Sequence, residues 1–164
     1  MSAEDLARIA TQERTLVFRE FNEGVAFEVG SLIRSRGLAN AMPIVIDIRT
    51  FDRPLFYAAL PGSTASNTDW ARRKTNVVRR FLRSTYGLVL QHQRPDRTFR
   101  PGDGLDIKDY VLAGGGFPVT VAGAGVVGAL AVSGLPERDD HETIVAVLCG
   151  YLGHDAGALA LAKG

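Results

Sequence analysis

The stretch PVTVAGAGVVGALAVS, Pro118–Ser133, decides the architecture. It contains two runs of strand-forming residues, Pro118–Ala122 and Val126–Ser133, separated only by Gly123-Ala124-Gly125. Three residues can close a hairpin but cannot carry the crossover that parallel neighbours need, so the two strands are antiparallel. Both are apolar on both faces. Such strands lie centrally in a sheet or are covered on each side, here by helices on one face and, as an expectation, by a neighbouring subunit on the other.

Working outward, PIVIDIRT (Pro43–Thr50) and PLFYAAL (Pro54–Leu60) form a second strand pair joined at Phe51-Asp52-Arg53. Helical signals flank the pairs. Ser2 and Asp5 have capping-box spacing for a short first helix. Asn22 can cap a second helix in which Val25, Val29, Leu32, Ile33 and Arg36 share a face and Gly37 marks the end. A third helix runs from about Asn67 to Ser84. A last one starts at Asp139, with Glu142 at N3, and runs to about Ala162. Tyr86–Gln93 can be read as helix or strand, and Arg94–Gly104 reads as a loop. The order predicts an α/β fold of the α+β type, one domain over residues 1–164, with an antiparallel sheet and flanking helices.

Composition narrows the function classes. The chain has 164 residues, 46% of them hydrophobic and 23% charged, which is enough to build a core without a disulfide or a structural metal. A net charge of +1 excludes a domain devoted to holding a phosphate backbone or an anionic membrane surface, so neither nucleic acid nor membrane is an expected partner. One cysteine, Cys149, and no apolar run of membrane-spanning length fit a cytoplasmic protein.

Against this background a few residues break the pattern. Along the third helix, Arg72, Asn76, Arg79, Arg80 and Arg83 share one face, and Trp70, Val77, Val78 and Phe81 lie opposite. Lys74 falls among the apolar group. It can snorkel to water, hold a carboxylate or propionate at the floor of a pocket, or form a structural ion pair, and the sequence leaves all three open. Asp155, projecting from the apolar face of the last helix, is its conjectured partner. Gly114-Gly115-Gly116-Phe117-Pro118 can be a ligand-approaching loop or a sharp structural turn. His92, His141 and His154 lack metal-ligand spacing, so no metal site is expected. Of the three, His141 follows the Ser133-Gly134-Leu135-Pro136 turn and is expected to face the same cavity as the glycines.

Taken in order, Asp69-Trp70, Arg73-Lys74, Tyr110, Gly114–Pro118, Val132–Pro136 and Asp139-Asp140-His141 resemble the haem-degrading domain family, the GlcG/HbpS-like superfamily, in its branch of this length shared by bacteria and fungi. The resemblance spans about Ile44 to Leu152. It implies a profilin-like sandwich, homo-oligomeric assembly, and association with haem or another small molecule. It also implies ligand-binding roles for Trp70, Arg73, Lys74, Gly114, Gly115, Phe117, Asp140 and His141. Many relatives carry a histidine before the paired glycines; this chain has Ala113 there, so no role for that histidine carries over.

The expected function is therefore a small-molecule binding protein, with haem or a carboxylate as ligand and Lys74 and Arg73 neutralising its anionic groups. No catalytic residue is assigned. The alternative is an oligomeric adaptor that meets protein partners through Arg72, Arg79 and Arg83; a hydrolase or lyase acting on an acid is a third reading.

Overall fold

A computed structural model describes residues 2–163. Two hairpins make its sheet: β1 (Val45–Thr50) with β2 (Arg53–Ala59), and β3 (Gly116–Val121) with β4 (Gly125–Ser133). β1 and β4 pair antiparallel, Val45 opposite Ser133 and Thr50 opposite Gly128, giving the order β2-β1-β4-β3. The short connections fix the hairpins, and the apolar character of β1 and β4 fixes their central position. Beyond β3 the chain adds one parallel bridge, Phe18 to Val121.

Helices α2 (Glu23–Ala39) and α5 (Glu137–Leu152) cover one face. Ile44, Ile46, Ile48, Leu130 and Val132 point into that layer and meet Val29, Ile33, Ile144 and Leu148. The opposite face is covered by α3 (Ala65–Phe81), where Ala71 packs on Val45 and Ala131. The second apolar face is thus buried within the chain by α3, which corrects the expectation of a neighbouring subunit there. α1 (Ser2–Thr15), α4 (Thr85–His92) and α6 (Ala156–Leu159) close one end of the sandwich around Ile9, Tyr86 and Leu161. The result is the antiparallel, helix-flanked profilin-like sandwich expected from the sequence.

Several local readings change. The Ser2 side chain, read as a cap, lies outside the described residues, whereas Asn22 caps α2 by accepting from the Val25 N–H at 2.9 Å. Gly37 does not end α2, which continues to Ala39; it is buried against Leu60 and Ile44 at the ends of the first strand pair, and a Cβ there would come within 2.5 Å of Leu60. Gly30 does the same against the Phe56 ring, at 2.3 Å. Both glycines let the helix approach the sheet closely, a packing role that mimics a stop signal in sequence. Leu32, placed on the buried face by periodicity, is exposed. Tyr86–Gln93 resolves as α4 because Ser84 caps it, accepting from Gly87, after Leu82 ends α3 in the left-handed region. α5 begins after Pro136 rather than at Asp139, and stops at Gly153 (φ 78°) rather than near Ala162.

Alanine at position 30 tests the close approach. In an open helix Gly→Ala gains roughly 0.5–1 kcal/mol. Here the added carbon overpacks against Phe56, and urea unfolding of Gly30→Ala is expected to show a loss of about 1–3 kcal/mol.

Candidate functional site

α3 enters the structure with one polar residue in its buried stripe. Lys74 lies between Ala71 and Val78, and its side chain is 3% exposed. It neither snorkels nor meets Asp155, which is exposed and caps α6 by accepting from the Gly157 N–H. The conjectured Lys74–Asp155 pair is replaced by Lys74–Asp140: Nζ donates to Asp140 Oδ2 at 3.1 Å and to the Val132 carbonyl at 2.9 Å. Gly153 breaks the last helix before Asp155 and so removes the register that would turn Asp155 inward.

Asp140 is 2% exposed. Its other oxygen accepts from the Leu135 N–H at 3.0 Å, so the turn between β4 and α5 is tied to the carboxylate. Burial pushes the Asp140 carboxyl up to about 6, against the pull of the Lys74 charge and the Leu135 amide. Burial likewise lowers the Lys74 ammonium from its ordinary value, opposed by Asp140 and Glu137. Desolvation is the largest influence on both groups.

Within the glycine segment, Gly115 lies against this pair. Gly115 has φ +122°, a conformation that side chains avoid, and a Cβ there would lie 2.4 Å from the Val132 carbonyl oxygen and 2.7 Å from Lys74 Nζ. Gly114 packs on Tyr86 and on the Glu137 carbonyl. Gly116 already belongs to β3.

Above the pair opens a cleft of about 350 Å³. Its walls come from α3 (Asn67, Trp70, Lys74), the segment before β3 (Ala113, Gly114), the Ser133–Glu137 turn with Asp140, and Arg97 from the long loop. Arg97 has φ 60° and pairs with Glu137 Oε2 at 2.6 Å; Glu137 Oε1 accepts from the Gly114 N–H at 3.4 Å. The cleft thus carries a buried ion pair at its floor and a half-exposed one at its rim. Asn67, Arg97 and Glu137 escaped the sequence reading: no period or motif marks them, and the long loop folds Arg97 back through a Leu112 N–H to Arg97 carbonyl bond at 3.0 Å.

Of the eight expected residues, Trp70, Lys74, Gly114 and Asp140 line the cleft. Arg73 stacks on Trp70 at 4.3 Å and lies 3.1 Å from Asp69. Gly115 and Phe117 are buried behind the floor. His141 does not face the cleft. It is buried against Tyr86 and Phe117, with Nε2 2.7 Å from Gln12 Oε1. Because the Gln12 amide nitrogen donates to the Leu159 carbonyl at 2.8 Å, its oxygen faces the ring, and His141 is the neutral tautomer that donates from Nε2. Nδ1 has no partner, and burial together with the Arg138 charge lowers the ring to about 3. Among the described residues there is no group of three or more His, Cys, Asp or Glu side chains placed to hold a metal, and no helix long and apolar enough to cross a membrane. Of the arginine face, Arg72 is held by Asp69 and Asp109, and Arg83 by Gln91; Arg79 and Arg80 are exposed.

Two outcomes follow. Lys74→Ala strands a buried carboxylate and should lower unfolding stability by about 3–5 kcal/mol, whereas the apolar pair Lys74→Met with Asp140→Leu should be neutral or stabilising by about 1–4 kcal/mol in urea titrations. For His141, the folded-state value near 3 lies below the unfolded 6.5, so the unfolded chain binds the extra proton and stability falls as pH drops from 6.5 toward 3. His141→Gln should therefore gain on the parent protein by up to about 1.4 kcal/mol per pH unit below 6.5 in pH-dependent unfolding.

Comparison with known proteins bears on the family and the fold. Residues 21–149 match the family model described as haem degrading protein HbpS-like. The UPF0303 protein mlr5144 of Mesorhizobium japonicum is 65% identical over 161 residues, 98% of this chain and 96% of that protein. Among solved structures, that of the Ybr137w protein superposes with a TM-score of 0.81 at 25% identity, over 90% of this chain and 87% of that one. The PduOC:heme complex superposes with a TM-score of 0.64 at 16% identity, over 81% and 94% of the two chains. On the length matched by the family model and the identity to its relative, the chain belongs to the HbpS-like haem-degrading protein family.

Proposed function

We propose that this protein binds a small carboxylate-bearing molecule in the cleft above Lys74. One observation carries the reading: Lys74 has three N–H donors, two are spent on Val132 and Asp140, and the residue lines the cleft. The first turn of α5, whose backbone N–H groups favour an anion, forms the adjoining wall. Trp70 supplies an apolar surface, and Arg97 a second cation at the rim. A reducing cytoplasm is part of the proposal, consistent with the single buried thiol of Cys149.

The family description and the PduOC:heme complex point to haem as one ligand to weigh. The donor set does not fit haem held through its iron. None of the residues lining the cleft is a His, Cys, Met or Tyr, the side chains that ordinarily supply the axial bond. Ala113 stands at its edge, and His141 is committed to Gln12 behind the floor.

A homo-oligomer is a separate reading, supported by three large apolar side chains that α2 leaves exposed, Phe27, Leu32 and Leu38.

The cleft carries two positive and two negative side chains, so an entering anion is best received when Asp140 holds a proton. Lactate serves as probe. Its affinity by calorimetry should fall by up to tenfold per pH unit above about 6, with a proton taken up on binding. Asp140→Asn should bind lactate more tightly and without that pH dependence. Undetectable binding, or affinity unchanged in Lys74→Met, overturns the proposal.

A further inference from the structure

The chain has three lysines against sixteen arginines. Every other ion pair among the described residues uses an arginine; the buried pair alone uses a lysine. Arginine is the better residue for a structural buried pair, being planar, multiply donating and always charged. Lysine offers what arginine cannot, an amine that can lose its proton and present a lone pair.

The geometry around Nζ suits that use. Two of its positions are occupied by acceptors on the protein side, the Val132 carbonyl and Asp140 Oδ2. Lys74 lines the cleft, which leaves its third N–H position to that side, and on the protein side the missing side chain of Gly115 makes the room in which Nζ reaches its two acceptors. Asp140 lies within direct proton-transfer distance. The charged groups that face the amine are Asp140, Glu137 and Arg97.

We infer that Lys74 is an amine nucleophile that forms a reversible imine with a small 2-oxo acid, Asp140 relaying the protons. The inference rests on the carboxylate-binding reading, and it adds the carbonyl group to the ligand. In the complex Asp140 already holds the proton taken up on binding, and the Lys74 ammonium, whose hold on its proton burial weakens, releases one proton to the water of the open cleft. The freed lone pair attacks the carbonyl carbon, a C–N bond forms, and the carbonyl oxygen takes the proton from Asp140. The nitrogen of this adduct returns a proton to Asp140. Asp140 then protonates the hydroxyl, which leaves as water as the C=N bond forms. An ammonium and a ketone have become a protonated imine and water, with Asp140 again ionised beside the positive charge.

Sodium cyanoborohydride trapping on the unmodified protein tests this. With pyruvate, intact mass should rise by one reduced adduct, and peptide mapping should place it on Lys74 rather than on the exposed Lys108 and Lys163. Excess lactate should protect, since it has the carboxylate but no carbonyl. Asp140→Asn should slow adduct formation about a hundredfold while still binding lactate. Labelling absent from Lys74, or spread evenly over the three lysines, overturns the inference. If lactate binds while no Lys74 adduct forms, the imine fails and carboxylate binding stands. If propanal labels Lys74 without lactate protection and pyruvate does not, the oxo-acid assignment is overturned together with the carboxylate reading.

Discussion

The Lys74 ammonium on α3 reaches the Asp140 carboxylate on α5 past the end of β4, so a single buried ion pair joins the helical layers on the two faces of the sheet. Much of the surrounding chain is arranged to make room for it. The Val132 carbonyl accepts from Nζ, the Leu135 amide holds the other carboxylate oxygen, and Gly115 adopts a backbone conformation that excludes a side chain where one would strike Nζ. The energetics run against a purely structural role. Desolvation outweighs attraction at both ends, and apolar residues of like volume would fill the same space at lower cost. Such a pair at the floor of an open cleft is what the proposed carboxylate binding would draw on.

The next residue along α5 shows how separate two buried polar groups can be on one helix. Asp140 and His141 are about 100° apart around the axis, which sends the first to the cleft and the second toward α1. His141 donates to Gln12, and Gln12 donates to the Leu159 carbonyl, so a chain of hydrogen bonds pins α1 and α6 to α5. Arg138, paired with Asp5 at 2.8 Å, adds a second link from the same helix to α1. Phe117, named with the ligand-binding residues by resemblance, belongs to this side: it packs on His141 and forms part of the main core. α5 thus carries the site on one side and the support for its own position on the other.

The fold was legible in the sequence because hairpin-length connections and two-faced apolar strands permit few arrangements, and those signals are local. Lys74 was legible as an anomaly, since a charge at the wrong helical phase stands out against its neighbours. Its partner was not. Asp140 looks like an ordinary first-turn acid, favourable at any helix N-terminus, while Asp155 looked misplaced only as long as the helix was assumed to run through Gly153. Gly37 shows the same ambiguity from the other side: a glycine near a helix end reads as a stop, and only the position of Leu60 reveals a close contact instead. Arg97 had no local signal at all, because its place at the rim depends on the path of a loop fixed by bonds to Leu112 and Glu137.

The two ion pairs of the cleft differ in what an entering anion can do to them. Arg97 and Glu137 are partly exposed, with side chains 43% and 23% open, and a rim pair in water has little net strength to defend. A carboxylate can therefore compete with Glu137 for Arg97 cheaply. Displacing Asp140 from Lys74 as an anion would leave a buried charge without a partner, and that cost exceeds what one new contact returns. Protonation removes the conflict: a neutral Asp140 can stay within reach of Lys74 while the ammonium turns its charge to the ligand. In the proposed complex the rim would decide admission and the floor protonation. For a ligand that also carries a carbonyl, the proton held on Asp140 is already at the position where the carbonyl oxygen needs one.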